Sequence, residues 1–549
     1  MAEKEFRLNL GAAAFPMLSD WMGRSVAVPD LDESGDRTAR DVNQEPAAKE
    51  SSVPQIYYCH NVMPVGQGFK SLAYKRIIKP PIVASPPVDF EKMIPIKDPD
   101  ETKGFMGFTS TGRIFMINAG DSVWTEVTSQ LSTVWPGGET SYAYANGFTY
   151  LCLRFNQVYK LNVQAKTFAP AVLAGITNSL IKNITSSSNY LVLTDDVTVY
   201  WSSASNPEDF VPSLSTGAGS GTPQDLNGQI VASLPLSAGF AVYTTANIII
   251  ASYSGNIRYP WIFKQAPNSG GITSIEHVAF DSDGGSNYAW TSSGLLRVAP
   301  TGCVPQHPEV TDFLAGRIFE DYNDTTDVLS QQYLTTDLQI KIIFIGSRFL
   351  IISYGILELT HALIYDSALR RWGKAKITHA DVFEVILFAE EPLSWNQLYP
   401  NGWDTFAGIA WQDLTTLSNF AASAKRTIGF LQKDGSVQLA VWDYGNFGAQ
   451  AVMMIGKYQL TRSKLNSFQE LQVETIDPNN PMFSVLLSTT LDGKEQAYLN
   501  TLTQHPFDSP TSRNRRYNKL VTGMNHSIIC KGAFALTSMQ VILVTEGWR

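Results

Sequence analysis

The residues of this chain that could do chemistry are carboxylates first. Glu208-Asp209, Glu390-Glu391 and Asp404 are candidates for the acid and base of a glycosidase, which needs two carboxyl groups roughly 5 to 10 Å apart. Adjacent Glu390 and Glu391 point to opposite faces of a strand, so they do not work together, and solvated loop charges are the better reading. Asp281-Ser-Asp-Gly-Gly285 and Asp321-Tyr-Asn-Asp-Thr-Thr-Asp327 space carboxylates as calcium loops do. Both lack the sixth-position Gly and twelfth-position Glu of an EF-hand, so they read as turns. The histidines, His60, His277, His307, His361, His379, His505 and His526, show no HExxH spacing and read as surface or satisfied core residues. No Gly-x-Ser-x-Gly elbow occurs. The run Thr216-Gly-Ala-Gly-Ser-Gly-Thr222 lacks the Lys-Ser/Thr of a phosphate cradle, and no helix pattern follows, so a flexible loop is expected. Cys59, Cys152, Cys303 and Cys530 form no CxxC and read as free thiols. No residue is assigned a catalytic, cofactor-binding or metal-binding role, no cofactor is expected, and the expectation is a protein that is not an enzyme.

Two basic clusters, Lys70 to Lys79 and Arg513-Asn-Arg-Arg-Tyr-Asn-Lys519, sit in a chain of formal net charge −9. Gripping nucleic acid requires concentrated Lys and Arg, so these clusters read as solvated, or as partners for a neighbouring subunit's carboxylates. The N-terminus carries charges where a signal peptide needs an apolar run. The most apolar run, Ile340 to Leu359, is broken by Lys341, Arg348 and Glu358, each costly in a bilayer, so no membrane span is expected.

The elements that must position these residues are strands. Tyr190 to Thr194 and Val197 to Trp201 flank Asp195-Asp196, and the triple Ile248-Ile249-Ile250 suggests a strand covered on both faces. Similar hairpins flank Ser110-Thr-Gly112, Asn146-Gly147 and Thr291-Ser-Ser-Gly294, Asn-Gly being a strong two-residue turn signal. Their first strands start at 105, 142, 190, 240 and 288. Near-constant spacing of this kind, with strands inside each unit, is that of β-propeller blades. The expected fold is all-β, a propeller of about six to eight blades over 105–445, with 446–549 as a small β-sandwich-like platform domain. Residues 1–104 read as a docking segment with the first strands and a flexible arm at 28–52, rich in Asp, Glu, Ser, Pro and Ala. A string of separate β-sandwiches is the competing architecture.

Five stretches resemble the tail nozzle, or tail-hub, proteins of short-tailed bacteriophages: Leu8 to Phe15, Tyr57 to Phe69, Val199-Tyr-Trp-Ser-Ser-Ala-Ser-Asn-Pro-Glu-Asp-Phe210, Ile272 to Arg297, and Tyr365 to Gly373. The resemblance implies a structural virion protein, assembled in host cytoplasm as a homohexameric ring in the viral tail. It implies contacts with the portal adaptor and with tail fibre or needle proteins, and a lumen through which double-stranded DNA is retained and ejected without specific binding. A neutral or acidic lining fits that role, because a basic one would hold the duplex by counterion release. The alternative from another class is a carbohydrate-binding or polysaccharide-degrading propeller attached to a tail.

Overall fold

The computed structural model describes residues 3–9, 56–78, 89–118, 123–314, 338–387, 425–441, 451–458, 466–475, 483–490, 503–506, 516–532 and 534–545, apart from positions 66–67, 98–102, 155, 282–283, 347, 357 and 524. The arm at 28–52, Asp321–Asp327, Glu390-Glu391, Asp404 and Arg513 to Arg515 lie outside the described residues.

Seven antiparallel four-stranded units follow one another along the chain, at 90–126, 140–170, 183–221, 230–265, 278–305, 339–379 and 381–441. The last supplies only three strands, and its fourth is Ala73–Ile78, from far earlier in the chain. From the second unit to the seventh, first strands of successive units lie against each other; Phe90–Lys97 of the first unit meets Phe148–Leu153 of the second on one side and Asp381–Leu387 of the seventh on the other, so the units close into a seven-bladed β-propeller. The ring therefore begins at Phe90, not at 105, and the first strands expected in 1–104 include two that belong to it, Phe90–Lys97 and Ala73–Ile78. Phe90–Lys97 hides from a hairpin search because Lys92 and Pro95 interrupt its alternation. Closure also excludes a string of independent sandwiches, since the strand that completes the last blade is borrowed from before the first.

Each blade buries both faces, one against each neighbour. Ile249 packs with Val192 and Phe240 in the seam between the third and fourth blades, while Ile248 and Ile250 pack with Ala289 and Leu296 between the fourth and fifth. The closing seam joins Phe90, Phe115 and Trp124 to Phe383, Leu431 and Leu439. Turn chemistry is local. Asp195 Oδ1 accepts the N–H groups of Val197 and Thr198 at 2.8 and 2.6 Å, and Asn146 and Gly147 both take positive φ, as a two-residue hairpin requires.

The glycine run expected to be a loop is instead partly a strand. Gly219–Gly221 closes the third blade, and the Trp201 indole lies over it while donating to the Gly217 carbonyl at 2.8 Å. A Cβ on Gly219 would sit 3.2 Å from that ring. Gly219→Val should therefore cost about 1–3 kcal/mol in urea unfolding through overpacking. Ser220→Val, at an exposed position of the same strand, should change stability by less than about 0.5 kcal/mol.

The remaining strands form the β-sandwich-like platform. One sheet runs Ile56–His60, Val452–Tyr458, Asn525–Gly532, Phe483–Thr490 and Thr503–Pro506. The other is shared with the propeller. From Arg371–His379 at the rim of the sixth blade it continues through Val62–Val65 and Gly68–Ser71 into Ala535–Thr545, which also pairs with Glu3–Asn9 and Asn466–Thr475. Asn61 locks this joint: its Oδ1 accepts from Lys376 N at 2.9 Å and from Tyr74 OH at 2.7 Å. Gly373 lies so close to Met63 that a Cβ there would come within 2.6 Å of its sulfur.

Candidate functional site

Four charged side chains meet at the centre of the propeller, each from a different blade. Lys92 comes from the first strand of blade one, Lys341 from that of blade six and Asp381 from that of blade seven. Glu276 rides on a single turn of 3-10 helix, Ile275–His277, ahead of blade five, where Ser274 Oγ caps the Glu276 N–H. Lys92 Nζ is 2.5 Å from Glu276 Oε1 and donates to the Thr140 carbonyl of blade two at 2.9 Å. Lys341 Nζ is 2.8 Å from Glu276 Oε2 and also pairs with Asp381 Oδ1. Asp381 accepts the Met93 N–H at 2.7 Å and that of Val382 at 2.6 Å. A group that touches the inner strands of four blades and the turn leading into a fifth lies near the axis, and Glu276 is its hub.

Asp381 keeps only 1 % of its side-chain surface, Lys341 12 %, Lys92 17 % and Glu276 28 %. Burial opposes the charge on Glu276, but Lys341 and Lys92 outweigh it and hold the carboxyl well below its usual range. Burial likewise opposes the charge on Lys341, and Asp381 and Glu276 reverse it, raising the ammonium above its ordinary value. Asp381 is lifted by burial and by Glu276 against the pull of Lys341, so it takes a proton first as pH falls. An acid and base pair for glycoside cleavage needs room for sugar or water between the carboxyls. Here an ammonium occupies that place and both Glu276 oxygens accept from lysines, so the arrangement is a clamp across the axis.

The sequence did not single out this cluster. Lys341 was noted as a break in an apolar run, and that break was the available signal: a lysine inside Gln339–Ile345 must find a buried anion. Glu208-Asp209, taken as solvated, is bonded instead. Glu208 accepts from Tyr150 OH at 2.9 Å and from Lys160 Nζ at 2.8 Å. Its carbonyl receives the Ala174 N–H, and Phe210 N donates back to Ala174 O, both at 2.9 Å. The segment 205–210 is thus a strap from blade three onto blade two, anchored by the buried Phe210 ring.

Asp281 Oδ1 accepts the Gly284 N–H at 2.9 Å, the turn that was expected. His379 is fixed by Ser353 Oγ at 3.0 Å and the Ile377 carbonyl at 2.7 Å, and burial lowers it to about 4. His307 packs on Tyr365 and Trp372, and His361 stacks on Tyr354. The side chains of His505 and His526 lie outside the described residues. Among the described residues no three His, Cys, Asp or Glu gather as a metal site. None of the four cysteines is in a disulfide. Burial pushes Cys152 and Cys530 up to about 12 and Cys303 to about 11, far from a reactive thiolate at neutral pH. Among the described residues no helix is long and apolar enough to cross a membrane.

No protein-family model matches the chain, and no curated protein matches it. Among solved structures, YCF48 bound to a D1 peptide overlays with a TM-score of 0.36 at 8 % identity, over 68 % of this chain and 96 % of that one. YCF48 from Cyanidioschyzon merolae gives 0.35 at 11 %, over 67 % and 98 %. The extracellular domain of the one-component system BT4673 from B. thetaiotaomicron gives 0.40 at 8 %, over 87 % and 60 %. These overlays are similarities of fold and carry no argument about function; the propeller itself rests on the strand pairing above.

Proposed function

We propose that this chain is a structural, non-enzymatic subunit of the tail conduit of a short-tailed bacteriophage, assembled as a closed ring through which the genome passes. The observation that carries the reading is where the resembling stretches lie: three of the joints of the molecule are built from them. Val199 to Phe210 contains the strap between blades two and three. Ile272 to Arg297 contains Glu276, the hub of the axial clamp. Tyr57 to Phe69 and Tyr365 to Gly373 meet where the sixth blade runs into the platform sheet. A protein whose work is shape and assembly concentrates its specific residues at such joints. The axial carboxylates, spent on lysines, supply no free acid and base for the carbohydrate-degrading alternative.

The purified chain should form closed rings in negative-stain images, with a mass near six subunits. Duplex DNA should leave those rings at a rate that does not change with salt. Monomers at every concentration, or tight salt-sensitive retention of the duplex, would contradict the proposal.

A further inference from the structure

The described rim of blades three and four is unusually apolar. Val211, Leu214, Tyr253, Ile257, Tyr259 and Ile262 are all exposed, Tyr259 to 69 % and Leu214 to 62 %. They are contiguous through two loops. A Cβ on Gly217 would touch the Ile257 side chain at 3.0 Å, while Ser254 N bonds to the Pro260 carbonyl at 2.8 Å and folds Tyr253 to Tyr259 into one turn. Arg258 and Lys264 are exposed beside them, and neither 211–217 nor 253–265 contains a carboxylate. Exposed apolar surface of this kind, edged by Tyr and Arg, has the composition of a protein contact.

The outer edge here is also less protected than others. The last strand of blade one has two residues, those of blades two and five end on Pro170 and Pro305, and that of blade six is covered by Val62–Val65. Blade four presents Trp261–Gln265 with Ile262 outward. On the opposite side of the seven-bladed ring, at the meeting of blades six, seven and one, lie exposed Asp89, Glu91 and Asp434 and the half-exposed Glu358. Lys433 is the cation among them and bonds to Glu358.

We propose that the rim of blades three and four docks on the seam of blades six, seven and one of a second copy of this chain. The contact is head-to-tail, so repeating it closes a ring if the rotation allows. The apolar side chains fill the centre, and Arg258 and Lys264 face Asp89, Glu91 and Asp434 of the next copy. This inference rests on the ring assembly proposed above and names the surface that makes it.

Sedimentation of the full chain tests it, with circular dichroism as the folding control. Arg258→Glu with Lys264→Glu, and separately Asp89→Lys with Glu91→Lys, should each raise the concentration needed for assembly at least about tenfold, since each leaves like charges opposed. Mixing the two variants should restore rings, because every junction in an alternating ring is again complementary. Ile262→Asp should weaken assembly with no rescue. A photo-crosslinker at Tyr259 of the otherwise native chain should attach to the peptide containing Asp89 and Glu91. Native rings that the variants leave intact, or a crosslink only to other peptides, would overturn this surface and leave the ring standing. A native chain that never assembles would sink both.

Discussion

Lys341→Met should lower the unfolding free energy by about 3–5 kcal/mol, because it leaves the buried Asp381 without its cation and the half-buried Glu276 with Lys92 alone. The native contacts give the reason for the size. Asp381 is 1 % exposed and pairs with Lys341, while Lys92 pairs with Glu276 and the Thr140 carbonyl. Urea unfolding monitored by tryptophan fluorescence measures the loss. Adding Asp381→Asn, Glu276→Gln and Lys92→Met to Lys341→Met should recover most of it, since a cluster with no charges has no charge left uncompensated. A loss below about 1 kcal/mol for the single variant would place the cluster among weak surface pairs.

The same variant has a pH signature. Glu276 is depressed in the folded chain, so the stability it contributes is present above its unfolded value and fades as pH falls through the lower, folded one. Lys341 is raised, so its share is present below its unfolded value and fades as pH rises through the higher, folded one. The difference between native protein and Lys341→Met should therefore hold through neutral pH, shrink in acid once Asp381, raised by burial, takes its proton, and shrink above about pH 10. A difference that grows in acid would contradict the assignment.

Hairpins were legible in the sequence because their causes are local: the short apolar run Tyr190–Thr194, the positive φ of Asn146-Gly147, and the carboxylate of Asp195 folded onto its own turn. The two-sided burial of Ile248-Ile249-Ile250 was legible for the same reason. The blade count was not, because closure depends on Ala73–Ile78 pairing with Val437–Val441, a contact between segments far apart in the chain. The even spacing was also blurred at Tyr142, which belongs to the first strand of its blade, whereas the other hairpins picked out second strands. The axial clamp was illegible as a motif: Lys92, Glu276, Lys341 and Asp381 share no spacing, only a closed ring brings them together, and the lysine inside Gln339–Ile345 hinted at a buried anion without naming it. Gly219 and Gly221 misled because a glycine run signals freedom in isolation, while here it makes room for an indole from the neighbouring strand.

Phe210→Ala should cost about 3–5 kcal/mol, the range for emptying a buried phenylalanine site, and should loosen the molecule in one place first. Phe210 is 2 % exposed and packs with Leu173, Ile181 and Leu191 between blades two and three. Its backbone is half of the Ala174 to Asp209 bridge that ties the strap down. Glu208→Gln keeps the shape, removes the charge that Lys160 and Tyr150 hold, and leaves Phe210 seated, so its cost should stay near 1 kcal/mol for a partly exposed pair. The two variants separate a hydrophobic anchor from an electrostatic one. Hydrogen exchange reads the difference residue by residue: in Phe210→Ala the amides of Ala174, Ser203 and Asp209 should lose protection well ahead of Tyr243 and Ala289 in the seam of blades four and five. Uniform loss across all seams would mean that 205–210 packs passively on the propeller; selective loss would mean that it holds blades two and three together.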